Sequence, residues 1–295
     1  MNYLVTGGAG FIGSHLANRL FDDGHKVRVL DNLSFGDRDK LNPGIELIEG
    51  DILDSVACDR ACKNMHGIFH LAAFSRSGPS FDKSDQCNAS NVTGTLNILN
   101  AAIGEKVEKI VYSGSSTFYG DQAGLQHEEM DGDFLNFYGL TKYVGELYTL
   151  QYSRNFGLKS NILRYFNVYG PGQPGEGAYA LVLGIFLKRF KAGLNLEIHG
   201  SGEQRRDFIH VNDVVEANIK AMESDVSGEI FNIGSGENYS INDLADHFPI
   251  DRYHTERREG DAEETLADIK KAKSLLGWKP KISLRDGINQ LMKQS

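Results

Sequence analysis

The chain has little that would brace it covalently or carry it into a membrane. Three cysteines, Cys58, Cys62 and Cys87, stand among 295 residues, too few for a disulfide framework. Cys58 and Cys62 fall at helix spacing, but two thiols without nearby histidines make a poor zinc site. Small thiols in a reducing cytoplasm, and no metal centre, are therefore expected. No apolar run approaches the about 20 residues that span a bilayer. The apolar start, MNYLVTGGAGFIG, is broken by glycines and lacks a basic leader, which argues against a secretory signal. Positive charge is also short: 31 Lys and Arg against 40 Asp and Glu, a net charge of −9. That balance repels nucleic acid and anionic membranes, so neither is an expected partner. An anionic small molecule would have to be held by locally placed basic groups or helix N-termini.

The remaining composition, 40% apolar and 24% charged, is that of a globular protein. The length suits one large α/β domain or a domain plus a smaller lobe. Short apolar runs at Tyr3–Thr6, Lys26–Asp31, Ile45–Glu49, Gly67–Leu71, Lys109–Ser113 and Lys159–Arg164 read as buried strands. Helical stretches alternate with them at Phe11–Asp23, Asp54–Lys63, Asn88–Ile103 and Tyr138–Phe156. This βαβα order predicts a doubly wound parallel sheet with helices on both faces, an α/β fold of Rossmann type. After Arg164 the pattern loosens through a Gly/Pro-rich loop. Residues 1–165 are expected to form the nucleotide-binding domain and 166–295 mainly a smaller mixed α/β lobe, with segments near 207–234 returning to the first domain.

Glycines at 7, 10 and 13 lie where the first strand passes into the first helix. Gly7 suits the tight turn, Gly10 a close approach to a pyrophosphate, and Gly13 close helix–strand packing. The next strand ends in Asp31, about 20 residues further on, where a carboxylate accepts from an adenosine ribose and repels a 2′-phosphate. NAD rather than NADP is the expected cofactor. Later, Tyr138 and Lys142 stand four apart on a predicted helix, hence on one face. An ammonium beside a phenol, joined by an oxidised nicotinamide, is expected to lower the tyrosine pKa from about 10 toward working pH.

The Gly-x-x-Gly-x-x-Gly spacing resembles that of the extended short-chain dehydrogenase/reductase family. So do Gly50-Asp51-Ile52, His70-Leu71-Ala72-Ala73, Asn91-Val92-Thr93-Gly94-Thr95, Tyr138-x-x-x-Lys142, Arg164 to Pro171, and Arg206 to Val211, in family order along nearly the whole chain. The resemblance implies cofactor contacts at Gly7, Gly10, Phe11, Ile12, Gly13, Asp31 and Asn32. It places Asp51 and Ile52 at the adenine, Leu71, Ala72 and Ala73 along the cofactor, and Asn91 on the nicotinamide side, with Ser113, Tyr138, Lys142 and Tyr165 completing the set. His70, at a strand end, reads instead as a packed, hydrogen-bonded histidine.

The catalytic group implied by the resemblance is Ser115, Tyr138 and Lys142, with Ser115 bonding the substrate oxygen that is oxidised. Family dehydratases and decarboxylases carry acidic residues directly after that serine; here Ser116 and Thr117 have no useful pKa, a pattern that resembles the epimerases. The implied activity is 4-epimerisation of a UDP-hexose through a transient 4-keto sugar. A uronate-sugar epimerase, a 2-epimerase, a 4-reductase, or a noncatalytic NAD-binding protein on the same fold are alternatives. Substrate contacts carried over are Ser115, Thr117, Tyr138 and Phe166 at the sugar, and Asn167, Arg206 and Arg258 at the diphosphate. Asp261 would meet the nucleoside ribose, while Leu181, Val182, Glu197, Ile198 and His199 would frame the base. Thr265, being small, would leave room for an N-acetyl group. A second copy of the chain is the implied partner, through the helices predicted at Asn88–Ile103 and Tyr138–Phe156.

Overall fold

The computed structural model describes residues 1–176, 180–256 and 262–293. Strands β1 (Asn2–Thr6), β2 (Lys26–Asp31), β3 (Glu46–Glu49), β4 (Gly67–His70), β5 (Lys109–Ser115) and β6 (Lys159–Tyr165) follow the apolar runs of the sequence closely. Later come β7 (Asn167–Tyr169), β8 (Leu196–His199), β9 (Arg205–His210), β10 (Glu229–Ile233), β11 (Asn238–Ser240) and β12 (Arg252–Thr255). Seven of them form one sheet in the order β10-β6-β5-β4-β1-β2-β3, and every pairing within it is parallel.

A parallel sheet must bury both faces, and the side-chain register shows how this one does. Leu4, Ile68 and Ile110 are lateral neighbours and pack with Cys58, Ala61, Ile98 and Leu99 from the helices Ser55–Cys62 and Thr95–Gly104. One residue further along each strand, Val5, Phe69 and Val111 point the other way. They pack with Leu16, Ala17 and Leu20 of the helix Phe11–Asp22 and with Val214, Val215 and Ala217 of the helix Val211–Glu223. Each buried leucine, isoleucine, valine or phenylalanine among them stabilises the fold by about 1.5–3 kcal/mol. The cysteines belong to this packing: all three are free and buried, and burial pushes the Cys58 thiol up to about 12.

The chain leaves β1 toward β2 and β3, then crosses to β4 and works outward on the other side. The crevice between the C-terminal ends of β1 and β4 is thus the topological switch point, where ligands of open α/β sheets bind. Past Tyr165 a third core gathers Leu183, Phe186, Leu196, Ile198, Phe208, Leu244 and Ile288 around a three-stranded sheet β11-β9-β7 and the pair β12-β8. The helix Val211–Glu223 and strand β10 return to the large sheet, β10 pairing with β6. No described helix is long and apolar enough to cross a membrane.

One helix differs from expectation. The segment read as Asn88–Ile103 begins earlier, with Ser84–Asn88, widens into a π turn over Ala89–Gly94, and continues as Thr95–Gly104. A π turn leaves the apolar periodicity almost intact, so the pattern does not reveal it; such turns gather at functional sites.

Candidate active site

A cleft of about 980 Å³ follows the C-terminal edge of the sheet from β2 past β1, β4 and β5 to the smaller lobe. Its volume lies at the upper end of small-molecule sites. Gly7 opens it with φ +67°, and a Cβ there would lie 2.7 Å from Ala72 N, so β1 and β4 could not otherwise close on each other. A Cβ on Gly13 would lie 2.1 Å from Gly7 O; glycine lets the helix start directly on the turn. The helix Phe11–Asp22 has Gly10 as its N-cap and no side-chain cap. The first-turn N–H groups of Phe11, Ile12 and Gly13 therefore remain outside the helix ladder, on the cleft wall. A wall of unpaired N–H groups at a helix N-terminus fits a pyrophosphate.

Asp31 closes β2 and faces the same cleft. Its Oδ2 accepts from Ala9 N at 2.9 Å and its Oδ1 from Leu33 N at 2.9 Å, so it caps the loop as well. A carboxylate has about four acceptor positions, which leaves capacity for ribose hydroxyls. Asn32 donates to Asp51 Oδ2 at 2.8 Å, fixing Asp51 beside Ile52, and both line the cleft together with Leu71, Ala72 and Ala73. The donors, the carboxylate and the apolar wall thus fit the phosphates, ribose and adenine of NAD.

Further along, Ser115 ends β5 and Tyr138 opens the helix Phe137–Phe156. That helix is capped by Asn136, whose side chain accepts from Gly139 N at 2.9 Å, while Tyr138 N donates to Ser80 Oγ at 3.2 Å. Ser115 Oγ accepts from Thr117 N at 3.3 Å and Thr117 Oγ1 at 2.8 Å. With its lone pairs so engaged, its own proton is left to be donated into the cleft, where Ser115 lowers the Tyr138 phenol against burial. Lys142, one turn on, lines the cleft with them. Ser113 Oγ and the Tyr165 hydroxyl are 3.0 Å apart, and the Tyr165 hydroxyl donates to Asn218 at 2.9 Å; burial pushes that phenol up to about 12. His70 is held between Thr6 Oγ1 at 2.7 Å and Thr95 Oγ1 at 3.1 Å, behind the site.

Burial raises the Tyr138 phenol above its ordinary value, against the lowering influence of Ser115 and Arg76. Burial also lowers Lys142 to about 7, against Glu146. The protein's own groups therefore leave the phenol high, because desolvation in a dry pocket outweighs them.

In the smaller lobe Phe166, Asn167, Leu181, Arg206 and Thr265 line the cleft. Asn167 Nδ2 donates to Asp207 O at 3.1 Å and Thr265 Oγ1 at 3.3 Å. Thr265 Oγ1 also accepts from Asp207 N at 3.1 Å, so this small residue fastens β9 as well as bounding the pocket. Arg206 NH1 donates to Arg205 O at 2.8 Å. Five carried-over residues are not brought to the cleft, among them Glu197, whose carboxylate accepts from the Tyr253 hydroxyl at 3.1 Å. Asn91 is buried, its amide spent on Phe74 N at 2.8 Å, Phe74 O at 3.0 Å and Thr141 Oγ1 at 2.9 Å; it supports the cleft wall from behind. Val182 and Ile198 pack into the third core. His199 Nδ1 meets Thr255 Oγ1 at 2.9 Å on the β8–β12 pair. Arg258 and Asp261 lie outside the described residues. Conversely, Arg76 and Phe35 line the cleft without having been read from the sequence: both sit in irregular loops where no period or motif marks them.

The family model described as the NAD dependent epimerase/dehydratase family matches residues 3–234. A UDP-glucose 4-epimerase of Corynebacterium glutamicum is 35% identical over 300 residues, covering 95% of this chain and 91% of its own. A UDP-N-acetyl-alpha-D-glucosaminuronate decarboxylase of Bacillus cytotoxicus is 34% identical over 311 residues, covering 97% and 95%. Among solved structures, the UDP-glucose 4-epimerase of Thermotoga maritima with UDP-glucose superposes with a TM-score of 0.96 at 36% identity, covering 99% of this chain and 98% of that one. With the parallel sheet, the glycine turn and the Ser115–Tyr138–Lys142 group in place, this chain belongs to the NAD-dependent epimerase/dehydratase family.

Proposed function

We propose that the chain is an NAD-dependent 4-epimerase of UDP-hexoses, acting on UDP-glucose and UDP-galactose and, with Thr265 small, on their N-acetylamino counterparts. The observation that carries this reading is the meeting of Ser115, Tyr138 and Lys142 on one cleft with the Gly7–Gly13 turn and Asp31. Asp31 favours NAD over a 2′-phosphorylated cofactor. The strand end favours epimerisation over elimination or decarboxylation: Ser116 and Thr117, which line the cleft beside Ser115, offer no carboxylate.

Bound NAD supplies a hydride acceptor and, while oxidised, a positive charge. The chain's own residues do the rest. Ser115 orients the C4 hydroxyl, and the Tyr138 phenolate takes its proton as C4 is oxidised. Lys142 holds the phenolate form by charge. The 4-keto sugar turns within the cleft, and Tyr138 returns the proton after reduction from the opposite face. Phe166 and Thr117 bound the sugar, Arg206 holds the diphosphate with Asn167 lining the cleft beside it, and Arg258 and Asp261 complete the nucleotide contacts. Residues 1–165, with the returning helix and β10, form the cofactor body, and 166–295 mainly the substrate lobe.

The free buried thiols suit a reducing cytoplasm. A second copy is the expected partner: Phe137, Leu140, Leu147 and Tyr148 lie exposed along one helix, and such an apolar stripe favours covering. A monomeric mass in light scattering would remove that part alone. The activity is tested by incubating the purified protein with UDP-glucose, UDP-N-acetylglucosamine or UDP-glucuronate without added cofactor and following the anomeric protons by NMR. New galacto-configured signals from the first two support the reading; conversion of UDP-glucuronate alone replaces it with a uronate epimerase.

A further inference from the structure

Lys142 is almost fully buried, yet among the described residues its Nζ makes no hydrogen bond and no ion pair. The carboxylate one turn along, Glu146, is committed elsewhere: Arg164 Nε and NH2 reach its two oxygens at 3.1 and 2.6 Å. What the ammonium faces is the ring of Tyr112, 4.3 Å from its centroid. The same tyrosine donates its hydroxyl to the Lys142 carbonyl at 3.1 Å, so it grips the lysine at the backbone and at the charged tip. Room for that grip is made on the helix: a Cβ on Gly145 would lie 2.3 Å from the Tyr112 hydroxyl. Tyr112 is itself immobilised in the middle of β5, fully buried, with the His70 ring 5.7 Å away.

We propose that Tyr112 is the positioning residue of Lys142, its ring face keeping the buried amine charged and its hydroxyl fixing the helix turn that carries it. An aromatic face stabilises a desolvated cation without adding a counter-charge. A carboxylate in the same place would pair with the ammonium and cancel the field at Tyr138; a π face leaves it intact.

The groups facing Lys142 come from five elements. Tyr138 and Glu146 lie on its own helix, Tyr112 on β5, His70 on β4, Cys87 on the helix Ser84–Asn88, and Arg164 on β6 beyond Glu146. Burial pushes His70 down to about 3 and raises the Cys87 thiol and both phenols, while Lys142 is lowered to about 7. Lys142 is thereby brought to change its charge near neutral pH.

The role of Lys142 in turnover rests on the proposed epimerase reading, but its titration does not. The test uses protein carrying lysine labelled with ¹³C at Cε, with the Lys142 resonance identified by its loss in Lys142→Arg and followed against pH. Tyr112→Phe keeps the ring and should titrate near the unsubstituted protein. Replacing that phenylalanine by 3,4,5-trifluorophenylalanine keeps the shape but drains the ring face, and Tyr112→Leu removes the face. Both should lower the midpoint by about one pH unit, and the alkaline limb of kcat should move down with it. If Tyr112→Leu does not fold, the fluorinated ring decides. Equal midpoints for the phenylalanine and trifluorophenylalanine forms would overturn the proposal. A wild-type protein without epimerase activity would remove the proposed function and leave this titration to stand or fall alone.

Discussion

Ser115 and Thr117 form a two-residue device: Thr117 donates both its N–H and its hydroxyl to Ser115 Oγ, at 3.3 and 2.8 Å. Those bonds occupy the acceptor side of the serine and leave its own proton to be donated into the cleft that Tyr138 also lines. Ser115→Ala should lower kcat by about 100-fold or more, since it removes a positioned proton-sharing group. Thr117→Val keeps the shape and removes the hydroxyl donor, and should lower kcat by about fivefold with KM little changed, the worth of one hydrogen bond. Steady-state kinetics on both variants checks this; full activity in Thr117→Val would show that Ser115 needs no orienting partner.

His70 links the fold to pH. Thr6 Oγ1 accepts from Leu71 N and Ala72 N and so donates to the ring, while Thr95 Oγ1 donates to Asn91 O and accepts from it. The ring is thus a neutral imidazole, pushed down to about 3 by burial and by Lys142. A folded pKa below the unfolded value of 6.5 contributes stability present above 6.5 and lost as pH falls toward 3. Between pH 7 and pH 4 this loss amounts to about 3 kcal/mol. Urea unfolding of His70→Gln should show a pH 7 to pH 4 decline smaller by that amount; an unchanged decline would mean the imidazole charges in the folded state.

Much of this was legible in the chain itself, for stated reasons. Strands buried on both faces show as short apolar runs, and β1 to β6 lie where those runs are. The glycine turn, Asp31 and the Tyr138–Lys142 spacing are local, and the structure brings them onto one cleft. The Asn91 motif marks a position along the chain, while what its amide bonds depends on where the Phe74 loop passes. The sequence does not mark Tyr112, because a buried aromatic in a strand looks the same whether or not an ammonium lies on its face. Arg76 sits in a loop with no periodicity at all.

Arg164 and Glu146 form an ion pair at 2.6 Å with both side chains about 2% exposed. Arg164 also lies 3.5 Å over the Phe118 ring and donates to the Tyr119 hydroxyl at 3.1 Å. Glu146→Gln leaves a buried guanidinium without its counter-charge and should cost about 3–5 kcal/mol in unfolding free energy. The double variant Glu146→Gln/Arg164→Met should lose less than the single one. A single variant within the error of wild type would show that the pair is hydrated in solution.

Thr265 is the proposed size gate, and its Oγ1 bonds separate two effects. Thr265→Val keeps the volume and breaks the bonds from Asp207 N and Asn167, so it should weaken UDP-glucose and UDP-N-acetylglucosamine turnover alike. Thr265→Tyr should in addition lower kcat/KM for the N-acetyl substrate by a further tenfold or so, a steric clash of about 1.4 kcal/mol. Equal losses on both sugars in Thr265→Tyr would dismiss the gate.

In the proposed reaction one hydrogen leaves C4 and the same hydrogen comes back. UDP-glucose deuterated at C4, turned over in ordinary water with no cofactor added, tests it by mass spectrometry and NMR of the product. The deuterium should be retained in full at C4 of the galacto product, with Tyr138→Phe giving no product. Protium from solvent at that carbon would overturn the proposed reaction, because it would mean the stereocentre is inverted by proton exchange and not by a returned hydride.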